Sequence, residues 1–123
     1  MTAVNQRVYY MLNRTEKARY PLLKVKELIT LGKVFFESNR EKNRETLKLL
    51  GFDVDDVLKE IMKLTNNDFA GVDIEADKTD ADVYIKVISK KDIYIKFRIE
   101  NPNLLILSFH EDESGNKKRR GLT

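Results

Sequence analysis

The sequence predicts an α+β domain in which N-terminal helices pack on an antiparallel β-sheet. Apolar residues recur at helical spacing through the first half of the chain, and from Asp82 onward they alternate with polar residues as in strands. The chain's 123 residues are the usual length of one domain. We therefore expect one folded domain over residues 22–112, an N-terminal extension over residues 1–21 and a basic, flexible tail over residues 113–123.

Three helices are predicted before the sheet. The apolar stripe of the first is formed by Leu22, Val25, Leu28 and Ile29. Gly32 should end this helix, because glycine readily adopts the left-handed conformation of a helix C-terminus. A polar stretch over residues 37–44 leads into a short second helix that ends at Gly51. Asp53 is the expected N-cap of the third helix, whose buried stripe is Val54, Val57, Leu58, Ile61, Met62 and Leu64.

Alternation predicts three antiparallel strands, over residues 82–87, 93–99 and 104–110. The last two should form a hairpin with a three-residue loop at residues 101–103. Because side chains alternate between the two faces of a sheet, the apolar set of each strand should face the helices. These sets are Val83, Ile85 and Val87; Ile93, Ile95, Phe97 and Ile99; and Leu105, Leu107 and Phe109.

The same register gathers polar and aromatic side chains on the face away from the helices. The expected cross-strand pairs are Tyr94 with His110, Lys96 with Ser108, Lys86 with Tyr94, and Tyr84 with Lys96. Arg98 completes this set. Cations neutralise phosphate, aromatic rings stack on unpaired bases, and histidine or tyrosine can transfer protons. The pattern therefore contains the groups needed for RNA binding or cleavage, but by itself it is more typical of an ordinary solvent-facing sheet.

Formal charge is uneven along the chain. Residues 1–50 carry +6, residues 51–82 carry −7 and residues 83–123 carry +4, which together give the net charge of +3. Such a chain can present separate faces to a polyanion and to a basic partner, or simply a well-solvated surface. The tail is a candidate RNA contact through Lys117, Lys118, Arg119 and Arg120.

Composition also argues against several classes of site. The chain has no cysteine and one histidine, so we expect no metal site and no cofactor. No apolar run approaches the roughly 18 residues that a membrane span requires. We therefore expect a cytoplasmic protein without a membrane partner.

Several short motifs occur in an order and at a spacing that is similar to a known family. They are Leu23-x-Val25-Lys26-x-Leu28-Ile29, Gly32-x-Val34, Leu50-Gly51-Phe52-Asp53, Leu64-Thr65-x-x-Asp68-Phe69, Asp82-Val83-Tyr84, Tyr94-Ile95-Lys96 and Leu105-Ile106-Leu107-Ser108-Phe109. The series resembles the MqsR-type toxins of type II toxin–antitoxin systems, members of the RelE-like group of messenger-RNA interferases. The resemblance spans residues 22–111.

This resemblance implies a RelE-like fold, with helices packed on a curved antiparallel sheet. It also implies metal-independent endoribonuclease activity on messenger RNA, with or without the ribosome, and a cognate antitoxin as protein partner. In such enzymes an RNA 2′-hydroxyl attacks the adjacent phosphorus. Tyr94 matches the family's active-site tyrosine, and His110 stands where the family has a lysine. Lys96 and Arg98 are the further candidates for catalytic charge.

Two other positions depart from the family pattern. Gly71 stands where a lysine is expected, and Ala81 where a glutamine is expected. If Lys86, Lys96 and Arg98 do not replace those groups, two alternatives are open. The chain is then a catalytically inactive RelE-like protein that binds RNA or the ribosome, or it is a protein-interaction module.

Overall fold

A computed structural model of the chain describes residues 12–13, 17–74 and 79–112. Within these residues the helices are α1 (Leu22–Thr30), α2 (Glu41–Leu50) and α3 (Val54–Met62). The strands are β1 (Leu12–Asn13), β2 (Val34–Phe36), β3 (Phe69–Asp73), β4 (Ala81–Ile88), β5 (Lys91–Glu100) and β6 (Asn103–Glu111). This arrangement confirms the predicted α+β class. None of the helices among the described residues is long and apolar enough to cross a membrane.

The strands form one mixed sheet in the order β1-β3-β4-β5-β6-β2. The neighbouring pairs β1-β3, β3-β4, β4-β5 and β5-β6 are antiparallel. Strand β2 runs parallel to β6, with Val34 opposite Leu104. The sequence pattern did not indicate β2, because three residues are too few to show an alternation. A parallel neighbour requires a long crossover connection, and here α2, α3 and three strands lie between β2 and β6.

The predicted helix ends are confirmed. Gly32 and Gly51 have φ angles of +74° and +70°, the left-handed conformation that favours glycine after a helix. Asp53 caps α3 by accepting a hydrogen bond from the backbone N–H of Asp56 at 2.9 Å, and the Asp56 carboxylate accepts the N–H of Asp53 at 3.0 Å. The bond from the Asp56 N–H lowers the pKa of the Asp53 carboxyl.

The helices cover one face of the sheet and form the core with it. Their buried apolar residues are Val25, Leu28, Val57 and Ile61. The strand residues that pack in the same core are Tyr84, Ile88, Ile93, Ile95, Phe97, Leu104, Ile106 and Phe109. Burial of these side chains is the main stabilising contribution to the fold.

The β5–β6 hairpin differs from the prediction near its turn. It closes with a two-residue turn at residues 101–102 instead of a three-residue loop, and a β-bulge leaves Leu107 as an extra residue in β6. The turn is one residue shorter than the predicted loop, and the bulge adds one residue to β6. The predicted register is therefore correct on the side of the bulge away from the turn. The confirmed pairs are Tyr94 with His110, Ile95 with Phe109, and Lys96 with Ser108.

On the turn side of the bulge the predicted core residues of β6 are wrong. Leu104 and Ile106 face the core in place of Leu105 and Leu107. Leu105 is partly exposed and Leu107 lies in the bulge. A shift of one residue exchanges the two faces of a strand, so the missed bulge accounts for both errors.

The predicted register of β4 is wrong by one residue. Tyr84 lies opposite Ile95, and Lys86 lies opposite Ile93, so both side chains are on the helix side of the sheet. The physical reason is that residues 81–85 are buried on both faces. Alternation identifies a core face only when the other face is solvated, so the apolar residues of β4 did not distinguish the two.

Helix α2 covers the part of β6 that β2 leaves without a neighbour. The Asn43 side chain is fully buried; it donates to the carbonyl of Leu107 at 3.1 Å and accepts from the N–H of Phe109 at 3.0 Å. Farther along, the N–H of Glu111 donates to Thr46 Oγ1 at 3.1 Å. The two most buried side chains of α2 are therefore polar because they pair with backbone groups of a strand.

Replacing Asn43 with alanine should lower the free energy of unfolding by about 2 kcal/mol or more, because two buried backbone groups of β6 lose their partners. Urea denaturation measures this loss. Leu49→Ala on the exposed side of α2 is the matched control and should change stability by less than about 0.5 kcal/mol. Equal effects of the two substitutions would show that α2 is not held through Asn43.

Candidate functional site

Five of the predicted site residues lie together on the face of the sheet turned away from the helices, which we call the outer face. They alternate with core residues along two paired strands. Strand β5 contributes Tyr94, Lys96 and Arg98, and strand β6 contributes Ser108 and His110. The bulge at Leu107 keeps Ser108 and His110 on this face despite the short turn.

Tyr94 and His110 form the centre of the outer face. Their rings are stacked, with centroids 5.4 Å apart and an interplanar angle of 14°, and both side chains are half-buried. His110 Nδ1 lies 3.0 Å from the carbonyl oxygen of Glu111. Since a carbonyl can only accept, this contact places the proton on Nδ1, and in the neutral ring Nε2 then carries the lone pair. The pair therefore combines a proton acceptor and a phenolic hydroxyl.

Lys96 is held by an acidic residue that the sequence did not reveal as part of the site. Its Nζ lies 2.9 Å from Asp73 Oδ2, across β4, and only 14% of the lysine side chain and 5% of the aspartate side chain are exposed. The other carboxylate oxygen of Asp73 is buried and has no hydrogen-bond partner among the described residues. The charge of Lys96 is thus neutralised inside the protein.

Arg98 is also paired. Its Nε lies 2.6 Å from the carboxylate of Glu100, two residues along the same strand. Asp82, another carboxylate near this end of the sheet, instead accepts the backbone N–H groups of Arg19 and Tyr20 at 2.8 and 2.9 Å. Burial raises the pKa of the Asp82 carboxyl.

Ser108 is buried, and its hydroxyl lies 3.5 Å from Nη1 of Arg40. Arg40 is an exposed residue at the N-terminal end of α2. It falls in the polar stretch that the sequence showed before the second helix, where no pattern marked it as a site residue. Only the docking of α2 on β6 brings it to the outer face.

Two predicted site residues are not on the outer face. Tyr84 is fully buried between Phe69 and Phe97, at ring-centroid distances of 5.5 and 5.3 Å, so its ring cannot stack on a base. Burial raises the pKa of the Tyr84 hydroxyl. Lys86 points to the helix side, where its Nζ lies 3.4 Å from Glu60 of α3. The predicted tail contacts, Lys117, Lys118, Arg119 and Arg120, lie outside the described residues.

The two positions that depart from the family pattern are close to the Lys96–Asp73 pair in the sheet. Ala81 is the register partner of Asp73, and Gly71 precedes Asp73 by two residues on β3. Gly71 has a φ angle of +146° at an irregularity of the β3–β4 pairing, a conformation that a lysine rarely adopts. Local backbone geometry therefore explains the glycine.

Comparison with known proteins gives a family match. The family described as motility quorum-sensing regulator, toxin of MqsA, matches residues 17–111, which is more than half of the chain and includes every described strand except β1. No curated protein matches the sequence.

Replacing Tyr84 with phenylalanine should leave the free energy of unfolding unchanged or raise it, because the buried hydroxyl has no hydrogen-bond partner within residues 17–74 and 79–112. Tyr20→Phe is the matched control. The Tyr20 hydroxyl donates to the carbonyl of Asp80 at 2.8 Å, so its removal should cost about 1 kcal/mol. Chemical denaturation of both variants is the measurement, and a larger loss for Tyr84→Phe would contradict the burial described here.

The Lys96–Asp73 pair should show strong coupling in a double-mutant cycle. Lys96→Met leaves a buried carboxylate without a cation and should cost roughly 1.5–3 kcal/mol of stability, while adding Asp73→Asn should recover part of that loss. The same cycle on the more exposed Arg98–Glu100 pair should give about 0–1 kcal/mol. Additive effects at Lys96 and Asp73 would rule out the ion pair.

Proposed function

The chain belongs to the MqsR toxin family, and on that basis we propose that it is a toxin that cleaves messenger RNA and is silenced by an antitoxin related to MqsA. The observation that carries the catalytic part of this proposal is the stacked Tyr94–His110 pair on the outer face. It joins two proton-transferring groups at a surface that the helices leave uncovered.

The proposed reaction is attack of a ribose 2′-hydroxyl on the adjacent phosphorus. His110 Nε2 accepts the proton of the 2′-hydroxyl as the new 2′-oxygen–phosphorus bond forms, and the Tyr94 hydroxyl donates a proton to the 5′-oxygen as its bond to phosphorus breaks. The products are a 2′,3′-cyclic phosphate and a 5′-hydroxyl. The ring stacking supports a joint role of the two residues, because it holds both groups within reach of one nucleotide.

Lys96 supports the same reaction as a donor to the phosphate. An ammonium group has three N–H donors, and the hydrogen bond to Asp73 uses one of them. The other two can stabilise the charge that develops on the phosphate oxygens. Lys96 thereby supplies a cation beside Gly71 and Ala81, whose own side chains cannot.

A second candidate is an RNA-binding protein that does not cleave. The specific observation in its favour is that both predicted catalytic cations, Lys96 and Arg98, already have carboxylate partners. Neutralised cations stabilise a transition state less than unpaired ones do, while an open aromatic and basic face still binds RNA.

Purified wild-type protein should cleave single-stranded RNA in the presence of EDTA and leave 2′,3′-cyclic phosphate ends. Tyr94→Phe and His110→Ala should each lower the cleavage rate by about 100-fold or more, because each removes a proton-transferring group. Val87→Ala is the matched control, since Val87 is an exposed residue of the neighbouring strand, and it should cleave at the wild-type rate. Quantitative product analysis on a labelled oligonucleotide measures all four rates.

Three results would decide against this site or this activity. Equal cleavage by the wild type and the Tyr94→Phe, His110→Ala double variant moves the active site elsewhere. Cleavage of a matching oligonucleotide in which every ribose is replaced by 2′-deoxyribose excludes the 2′-hydroxyl mechanism. Tight RNA binding without cleavage selects the second candidate. Growth arrest on induced expression, seen with the wild type and not with the double variant, provides the cellular counterpart.

A further inference from the structure

Within the described residues, three cationic side chains border the outer face, and they differ in what neutralises them. Lys96 is paired with Asp73 at 2.9 Å, and Arg98 is paired with Glu100 at 2.6 Å. Among the described residues, Arg40 has no carboxylate within ion-pair distance. An incoming phosphate therefore has to share or displace a carboxylate at the first two cations, but not at Arg40.

The backbone of Arg40 is fixed at the start of α2. Its carbonyl accepts the N–H of Arg44 at 3.0 Å in the first turn of the helix. The helix in turn is attached to β6 through Asn43, which pairs with Leu107 and Phe109, the two neighbours of Ser108. This attachment explains why the Arg40 guanidinium lies over Ser108 and not elsewhere.

The Arg40 side chain has most of its donors available within the described part of the chain. Its one hydrogen bond there is to the Ser108 hydroxyl, at the long distance of 3.5 Å, whereas a guanidinium has five N–H donors. Ser108 and His110 are on the same face two residues apart, which is about 7 Å along a strand. Arg40 is thus positioned beside the Tyr94–His110 pair but outside it.

We propose that Arg40 binds a phosphate of the RNA strand next to the nucleotide held at Tyr94 and His110. The inference rests on the proposed function in taking RNA as the ligand. The planar guanidinium donates two parallel hydrogen bonds to the phosphate oxygens, a geometry that lysine does not offer. Arg40 is a binding residue in this proposal and transfers no proton.

The test is binding of a single-stranded 2′-O-methyl RNA oligonucleotide of mixed sequence, which the proposed reaction cannot cleave, measured by fluorescence anisotropy over a range of salt concentrations. Arg40→Ala should weaken binding about tenfold or more at low salt. It should also reduce the slope of log affinity against log salt by about 0.7, the value for one phosphate contact on a single strand. Arg40→Lys should recover the slope but only part of the affinity. Lysine keeps the positive charge but cannot donate the two parallel hydrogen bonds of a guanidinium.

Lys48→Ala is the matched control, since it removes one exposed positive charge from the last turn of the same helix. It should change affinity by less than about twofold, as expected for a charge that contacts no phosphate. The Arg40 variants should unfold thermally at midpoints within a few degrees of the wild type. Such midpoints would exclude a folding defect as the cause of weaker binding.

The outcomes separate this inference from the proposed function. If Arg40→Ala matches Lys48→Ala in affinity and salt slope, Arg40 is not a phosphate contact, even where the wild type cleaves RNA. If the wild type binds the oligonucleotide but cleaves no RNA, catalysis fails while the Arg40 result still stands. A wild type that does not bind the oligonucleotide overturns the Arg40 proposal.

Discussion

The side chain of Asn43 is the contact on which the geometry of the outer face depends. Its amide donates to the carbonyl of Leu107 and accepts from the N–H of Phe109, which is how a residue of a parallel strand would pair with Ser108. Strand β2 runs parallel to β6 only as far as Phe36 and Ile106. The amide therefore pairs with β6 at the position of Ser108, two residues beyond the last residue pair of β2 and β6.

This contact also connects the bulge to the candidate site. The bulged residue Leu107 is the one whose carbonyl Asn43 binds, so the irregular part of β6 is stabilised by α2. Beyond it, the side chains of Ser108 and His110 lie on the outer face beside Lys96 and Tyr94. One side-chain amide thereby contributes both to the register of the site and to the position of the helix that carries Arg40, the cation without a carboxylate partner in the described part of the chain.

Much of the site could be predicted from the sequence because two features of the hairpin compensate each other. A three-residue loop and a two-residue turn followed by a one-residue bulge give the same pairing at Tyr94 and His110. Local patterns contain no signal for the bulge. They also contain no signal for the face of β4, whose residues 81–85 are buried on both sides, so the predicted face of Tyr84 is wrong. The helix ends, by contrast, follow from glycine and capping chemistry and were predicted correctly.

The charge balance of the site could not be predicted in the same way. Asp73 lies in an acidic part of the sequence and Arg40 in a mixed polar one, and neither shows a periodic pattern. Their roles follow from long-range packing, which places β3 beside β4 and α2 against β6. The tertiary structure decides which cation is neutralised and which one is available. This distribution of charge depends on residues from three separate elements.

Covering the end of β6 with a helix has a consequence for self-association. Residues 107–111 have backbone groups at the edge of the sheet, and exposed edges of this kind readily add a strand from another molecule. Asn43 and Thr46 occupy those groups as long as α2 stays in place. Detachment of α2 alone, with the rest of the sheet intact, would expose an aggregation-prone edge, so this helix protects the protein from intermolecular β-pairing.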